Sequence, residues 1–293
     1  MQDIIVFLNG QRGLEVVMEL KKSGHGILKC VIPSNKNYNK LEKEIKKKKI
    51  GCLRFENVNS NKAILKLKKL NSKLFIIAGY STIFKEELIK LPSKGAINLH
   101  AGRLPEYRGG SPLNWQLING EKRAAISIVR VDKEIDAGNV LQEKDIIIKQ
   151  STDIKDLHNQ ANKLFPQLIK NIIDKIKNLK GRVQNKKRSI YWHQRNDNDG
   201  HIDFKKINAL QASRLVRALT KPYPGAWANL KRKRVRIYKI EIPQFNLCGK
   251  PGRICFIQKQ GPYVICKDKA ILIKSYIVEG NSGIKLKNSQ FLT

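Results

Sequence analysis

The sequence predicts an α/β fold, with a domain built on a parallel sheet followed by a smaller, β-rich, barrel-like domain. Three observations predict it. From the N-terminus to about residue 150, apolar runs of strand length alternate with amphipathic stretches, the pattern of βαβ units whose strands are covered on both faces. A single long stripe of apolar residues at helical spacing follows. Beyond it the chain becomes a series of short strand-like runs at turn-bounded intervals.

DIIVFLNG (3–10) is a buried-strand run ending in turn residues, LEVVMELKKSG (14–24) has helical spacing and a glycine stop, and ILKCVIPS (27–34) is a second strand. The Gly10-Gln11-Arg12-Gly13 turn lacks the GxGxxG pattern, and no acidic residue closes the second strand to hold a ribose, which argues against a dinucleotide site. KLEKEIKKKK (40–49) and AILKLKKL (63–70) suit amphipathic helices, with GCLRF (51–55) between them as a short strand. LFIIAGYS (74–81) is a fully apolar strand with a Gly-Tyr turn, and KEELIKLP (85–92) a helix stopping before Pro92. AINLH (96–100) is the next strand. SPLNWQLING (111–120) reads as a helix with Ser111 as N-cap, Pro112 at its first position and Gly120 as its stop. AAISIVRVD (124–132) and NVLQEKDIII (139–148) are strands around a glycine-punctuated loop.

From 152 to 179 the pattern is a long amphipathic helix with Leu157, Ala161, Leu164, Leu168, Ile172 and Ile176 on one stripe. These features predict a first domain over 1–180, a polar and basic linker over 181–204, and a second domain over 205–293. The second domain opens with a helix, NALQASRLVRALT (208–220), and continues as strands at AWANL, RVRIYKIEI, GRICFI, YVICK and AILIKSYIV.

At 293 residues the chain is long enough for a good core and more than one domain. No apolar run of about 18 residues predicts a membrane span. The start, MQDIIVFLNG, has no basic n-region and does not read as a signal peptide, so a cytoplasmic setting is expected. Five cysteines without CxxC spacing fit free thiols in a reducing compartment, and no metal site is expected. Lys and Arg total 58 against 24 Asp and Glu, a formal charge of +34. That charge suits a polyanionic partner. It also suits AT-rich codon usage, because the basic runs at 43–50, 65–70, 177–188 and 231–236 are scattered.

The chemistry is concentrated in INLHAGRLPEYRGGSPLNW (97–115) and EIDAGNVL (134–141). Asn98 and His100, two apart on one strand, share a face. The glycine- and proline-rich loop after them sits at a strand end, where ligands bind in open parallel sheets. With Asp136 the set comprises an amide donor, an imidazole and a carboxylate, groups that hold an oxyanion and accept a proton. No GxSxG elbow suggests a covalent intermediate.

On NLH, LPEYRGGSPLNW and IDAGNVL, continued by DGHIDF (199–204) and LVRALTKPYPGAW (215–227), nearly the whole chain resembles the folate-dependent formyltransferases. That group includes the glycinamide ribonucleotide, methionyl-tRNA and sugar N-formyltransferases. The resemblance implies a Rossmann-like catalytic domain and formyl transfer from N10-formyltetrahydrofolate to an amine, with Asn98, His100 and Asp136 as catalytic residues and no metal. It implies a pterin cleft at Ala78, Gly79, Tyr80, Ser81, Thr82 and Ile83, read by backbone atoms. Arg108, on a loop with Gly109 and Gly110, either grips a phosphate or pairs with Glu106 or another neighbour.

The acceptor follows from finer features. Methionyl-tRNA enzymes carry a basic, glycine-containing insertion before the NLH strand. Here the corresponding span, 33–55, is basic but reads as ordinary elements. After His100, Ala101-Gly102-Arg103 replaces a Ser-Leu-Leu-type stretch, and RGGSPLNW and YWHQRNDNDGHIDF are similar to the sugar enzymes. The expected substrate is therefore an aminosugar on dTDP, GDP or UDP, made for surface polysaccharide. Tyr191, Trp192 and Arg195 are candidates for base stacking and phosphate pairing, or else the two aromatics anchor the linker. The alternatives are methionyl-tRNA formylation, which the +34 charge and KRKRVR would serve, hydrolysis of the formyl donor, and a non-catalytic RNA-binding protein. A two-fold contact through the barrel would make a homodimer.

Overall fold

A computed structural model of the protein describes residues 3–280 and 283–293. The described residues form two units. The first comprises residues up to Pro112, Ala124–Ile146 and His158–His193, and the second Leu113–Arg123, Ile147–Leu157 and Gln194–Thr293. The first unit thus runs on through 181–193, which the sequence reads as linker, and the second draws two short segments from earlier in the chain.

The first unit holds β1 (Asp3–Leu8), α1 (Gln11–Lys22), β2 (Gly26–Pro33), α2 (Asn39–Lys47), β3 (Cys52–Phe55), α3 (Asn61–Lys68), β4 (Leu74–Ala78), α4 (Glu86–Ile89), β5 (Ala96–His100) and a two-residue strand β6 (Arg108–Gly109). After β6, α5 (Pro112–Ile118) belongs mostly to the second unit. β7 (Arg123–Arg130) and β8 (Val140–Ile147) then complete the main sheet, and α6 (Ile154–Ile172) and β9 (Tyr191–Trp192) follow. The main sheet runs β3-β2-β1-β4-β5-β7-β8. The four pairings from β3 to β5 are parallel. The parallel core is as expected, and β7 joins it antiparallel to β5. The stretch from 101 to 122 holds a loop and one short helix, and β7 begins at the end where β5 finishes, so no crossover is made.

Strand burial follows the apolar runs. Ile4 to Leu8 and Leu74 to Phe75 are at most 1% exposed, and α1 covers the sheet with Val16, Val17 and Leu20. The helix packs so closely that a Cβ on Gly13 would lie 2.2 Å from Leu8 Cβ, which fixes glycine there. Phe7 meets Phe75, Tyr80 and Phe84 edge to face at centroid distances of 5.1, 5.8 and 4.8 Å. Each such ring contributes about 2–3 kcal/mol by burial. On α6, Leu157, Ala161, Leu168 and Ile172 are buried as the stripe predicts. Ser111, expected as an N-cap, takes the left-handed φ of 50° rather than the extended backbone of a cap, and Pro112 does open α5.

The second unit contains α7 (Ala209–Leu219), whose start carries a capping box between Asn208 and Gln211. Its antiparallel sheet, in the order β10-β11-β14-β13-β12, uses β10 (Ala226–Leu230), β11 (Lys233–Glu241), β12 (Ile254–Ile257), β13 (Gln260–Ile265) and β14 (Ala270–Val278). Register shifts in β11 curve it. The chain end joins the two edges: Thr293 N–H donates to Asn229 O on β10 at 2.9 Å, and Leu292 N–H to Gly252 O beside β12 at 2.9 Å. This joining gives the sheet its barrel-like closure.

Candidate active site

Asn98 and His100 lie on β5 and face across β7 at Val129 and Ser127. His100 is 4% exposed, and Asn98 is half-buried. Ser127 Oγ donates to Gly102 O at 2.8 Å, fixing the chain as it leaves the strand. A Cβ on Gly102 would sit 2.7 Å from His100 Nε2 and 2.8 Å from Tyr107 O, so only glycine lets the loop return over the imidazole.

Asp136 stands in the β7–β8 loop with a left-handed φ of 52°, a conformation that Asp tolerates better than most residues. Its Oδ1 accepts from Asn98 Nδ2 at 3.1 Å, and its Oδ2 accepts from Gly109 N–H at 3.0 Å. His100 Nδ1 is 3.3 Å from the same Oδ2. His100 Nε2 is 2.6 Å from Tyr107 O. Both ring nitrogens therefore face acceptors, and a ring protonated at both would donate to each. The three residues lie within one hydrogen-bonded cluster with an amide donor, an imidazole and a carboxylate converging.

The loop carrying Arg108 is held by the segment after α6. β6 pairs in parallel with β9, and Gly110 N–H donates to Trp192 O at 2.8 Å. Gly109 has a φ of 90°, and a Cβ there would lie 2.4 Å from Trp192 O. Arg108 is 3% exposed and pairs with neighbours, though with Gln184 and Tyr191 rather than Glu106. Its Nε and Nη2 donate to Gln184 Oε1 at 3.0 and 2.8 Å, and its Nη1 to Tyr191 Oη at 2.9 Å. Glu106 instead pairs with Arg188. Trp192 anchors the segment, stacking on Tyr107 at 5.7 Å and 11° and donating from Nε1 to Glu106 O at 3.0 Å. Tyr191 is 53% exposed, with the Arg108 guanidinium 5.4 Å from its ring centre. Arg195 lies in the second unit, its guanidinium 5.6 Å from the Trp115 ring centre and its pKa lowered by burial.

Ala78 to Ile83 continue from the carboxyl end of β4. Tyr80 turns into the core, where burial raises its pKa, while Ser81, Thr82 and Ile83 are exposed. Sequence reasoning did not find Gln184, the Tyr107 carbonyl or the Gly109 N–H, since backbone groups leave no mark in composition and Gln184 sits inside a lysine-rich stretch. All five cysteines are free. Among the described residues no His, Cys, Asp and Glu group could hold a metal, and no helix is long and apolar enough to cross a membrane.

Residues 3–173 match the formyl transferase family, and residues 195–291 its C-terminal domain. A methionyl-tRNA formyltransferase of Geobacter metallireducens is 31% identical over 241 residues, covering 82% of this chain and 76% of its own. A bifunctional polymyxin resistance protein ArnA of Wigglesworthia glossinidia brevipalpis is 36% identical over 247 residues, 81% of this chain but 36% of that protein. Among solved structures, an N-formyltransferase from Helicobacter canadensis in complex with folinic acid and dTDP-3-aminofucose aligns with a TM-score of 0.70. It is 18% identical, with 94% of this chain and 100% of that one covered, a likeness of fold.

Proposed function

The chain belongs to the formyl transferase family, and from that premise we propose that it formylates the amine of an aminosugar carried on a nucleoside diphosphate. It is a formyltransferase that uses N10-formyltetrahydrofolate as donor. The acceptor, the site roles and a cytoplasmic setting, in keeping with five free cysteines, are our reading.

The folate supplies an activated formyl carbon when bound. The residues present fit it: the exposed residues Ser81, Thr82 and Ile83 follow the carboxyl end of β4, where open α/β sheets take ligands. Asn98 has amide donor capacity beyond its bond to Asp136 and is placed to stabilise negative charge on a carbonyl oxygen. His100 joins it by exchanging the Tyr107 carbonyl at Nε2 for that oxygen. Asp136 accepts the proton that the attacking nitrogen loses, directly or through water. The low exposure of His100 and Asp136, 4% and 9% at the side chain, strengthens each of these interactions.

One observation carries the acceptor. Between β2 and β4 the chain is occupied by α2, β3 and α3 with short joins and no long inserted loop, which supports an acceptor other than tRNA. The exposed residue Tyr191 offers a nucleobase the ring face opposite Arg108 for stacking. Methionyl-tRNA is the second reading, favoured by the relatives that carry that name and by the exposed Lys231, Arg232 and Lys233 at the β10–β11 turn. Turnover assays with the formyl donor, offering methionyl-tRNA and dTDP-, GDP- and UDP-aminosugars separately, decide between them. We expect at least one sugar to be formylated with a kcat/KM above that of methionyl-tRNA, and the reverse order overturns the choice.

A further inference from the structure

Gln184 is 5% exposed and lies on the segment between α6 and β9, 48 residues from Asp136 in sequence. Its Nε2 donates to two backbone carbonyls of the β7–β8 loop, Asp136 O at 2.8 Å and Gly138 O at 2.7 Å. Its Oε1 accepts both the Nε and Nη2 bonds of Arg108. All of the amide's hydrogen-bonding capacity is used, so its orientation is determined by its partners, with oxygen toward the guanidinium and nitrogen toward the carbonyls. The residue after Arg108, Gly109, donates its N–H to the Asp136 carboxylate. Backbone and side chain of Asp136 are thus gripped from one source: Gln184 holds its carbonyl, and the loop that Gln184 holds through Arg108 grips its carboxylate. The left-handed backbone of Asp136, though better tolerated by Asp than by most residues, is held in place by these surroundings.

We propose that Gln184 is the positioning residue for Asp136, holding the carboxylate where it meets His100 and the reacting amine. The proposal rests on the formyl-transfer reading given above. Gln184 is 5% exposed and its polar atoms are all engaged within the protein, so its loss is expected in kcat and not in donor binding. A misplacement of about 1 Å can cost on the order of 10²-fold in rate.

The test uses the full chain with N10-formyltetrahydrofolate and the best acceptor. The rate is expressed per folate-binding site, counted by calorimetric titration with 5-formyltetrahydrofolate, so that unfolded protein does not register. Gln184→Glu keeps the shape and the acceptor for Arg108 but removes both N–H donors to the loop carbonyls, and Gln184→Leu removes everything polar. Both are expected to lower kcat per site by about 10- to 100-fold with the donor KM within about two-fold. Lys187→Ala, an exposed change on the same segment, is expected to leave both unchanged. Should Gln184→Leu fail to fold, Gln184→Glu carries the comparison. A kcat per site within two-fold of wild type, or a loss expressed in KM, overturns the inference. Wild-type protein that formylates no acceptor at all contradicts the proposed function instead, and takes this inference with it.

Discussion

At the scale of single residues, the site depends on how few groups are left to chance. Asp136 accepts from Asn98 and Gly109, stands beside His100, and is tied at its carbonyl by Gln184. That Asn98, His100 and Asp136 lie together was legible because each falls in a short motif with a chemical reason for its residue type. Gln184 was not, since a lone amide in KNLKGRVQNKKR has no periodicity and no partner in sequence. His158 on α6 was also silent. Burial pushes its pKa down from 6.5 to about 4, with the Arg12 guanidinium adding to the effect. The folded state therefore prefers the neutral ring, and the unfolded chain binds the proton first as pH falls. Stability from this residue is complete above about pH 6.5 and is lost between there and about pH 4, a loss of about 3 kcal/mol. Urea unfolding at pH 7 and pH 4.5 should show most of that loss in wild type and a smaller one in His158→Gln. Equal losses in the two proteins would contradict it.

At the scale of elements, periodicity told strand from helix but not strand direction. β7 satisfies the same apolar pattern parallel or antiparallel, and what decides is that the stretch before it returns no helix across the sheet. The β6–β9 pairing escaped for a related reason: two-residue strands have too few side chains to show alternation. Its glycines were visible, and the structure supplies their reason. Gly109→Ala would place a Cβ 2.4 Å from Trp192 O at a φ of 90°, so β9 must shift. The change is expected to destabilise the first unit by about 2 kcal/mol and to release the Asp136 carboxylate from its Gly109 contact. Amide hydrogen exchange at Gly110, which donates to Trp192 O, should rise at least tenfold. Unchanged exchange would mean that the pairing does not need glycine.

At the scale of the whole molecule, the two-part organisation was legible from the change in pattern after 179, whereas the closing of the second sheet by residues 291–293 was not, because an isolated strand-end bridge has no sequence signature. The +34 charge, the most conspicuous property of the chain, says least about its chemistry, since the basic side chains are spread over exposed faces. We propose that what the molecule does rests on the carboxylate that meets Asn98 and His100 of β5. The most direct measurement is single-turnover formyl transfer from N10-formyltetrahydrofolate to an amine acceptor by wild type and Asp136→Asn, with donor affinity measured in parallel. The amide that this change introduces keeps the size and an acceptor oxygen but cannot take the proton, so transfer should fall by about 10³-fold with the donor Kd within about three-fold. Transfer within a few-fold of wild type would contradict a proton-accepting role for Asp136.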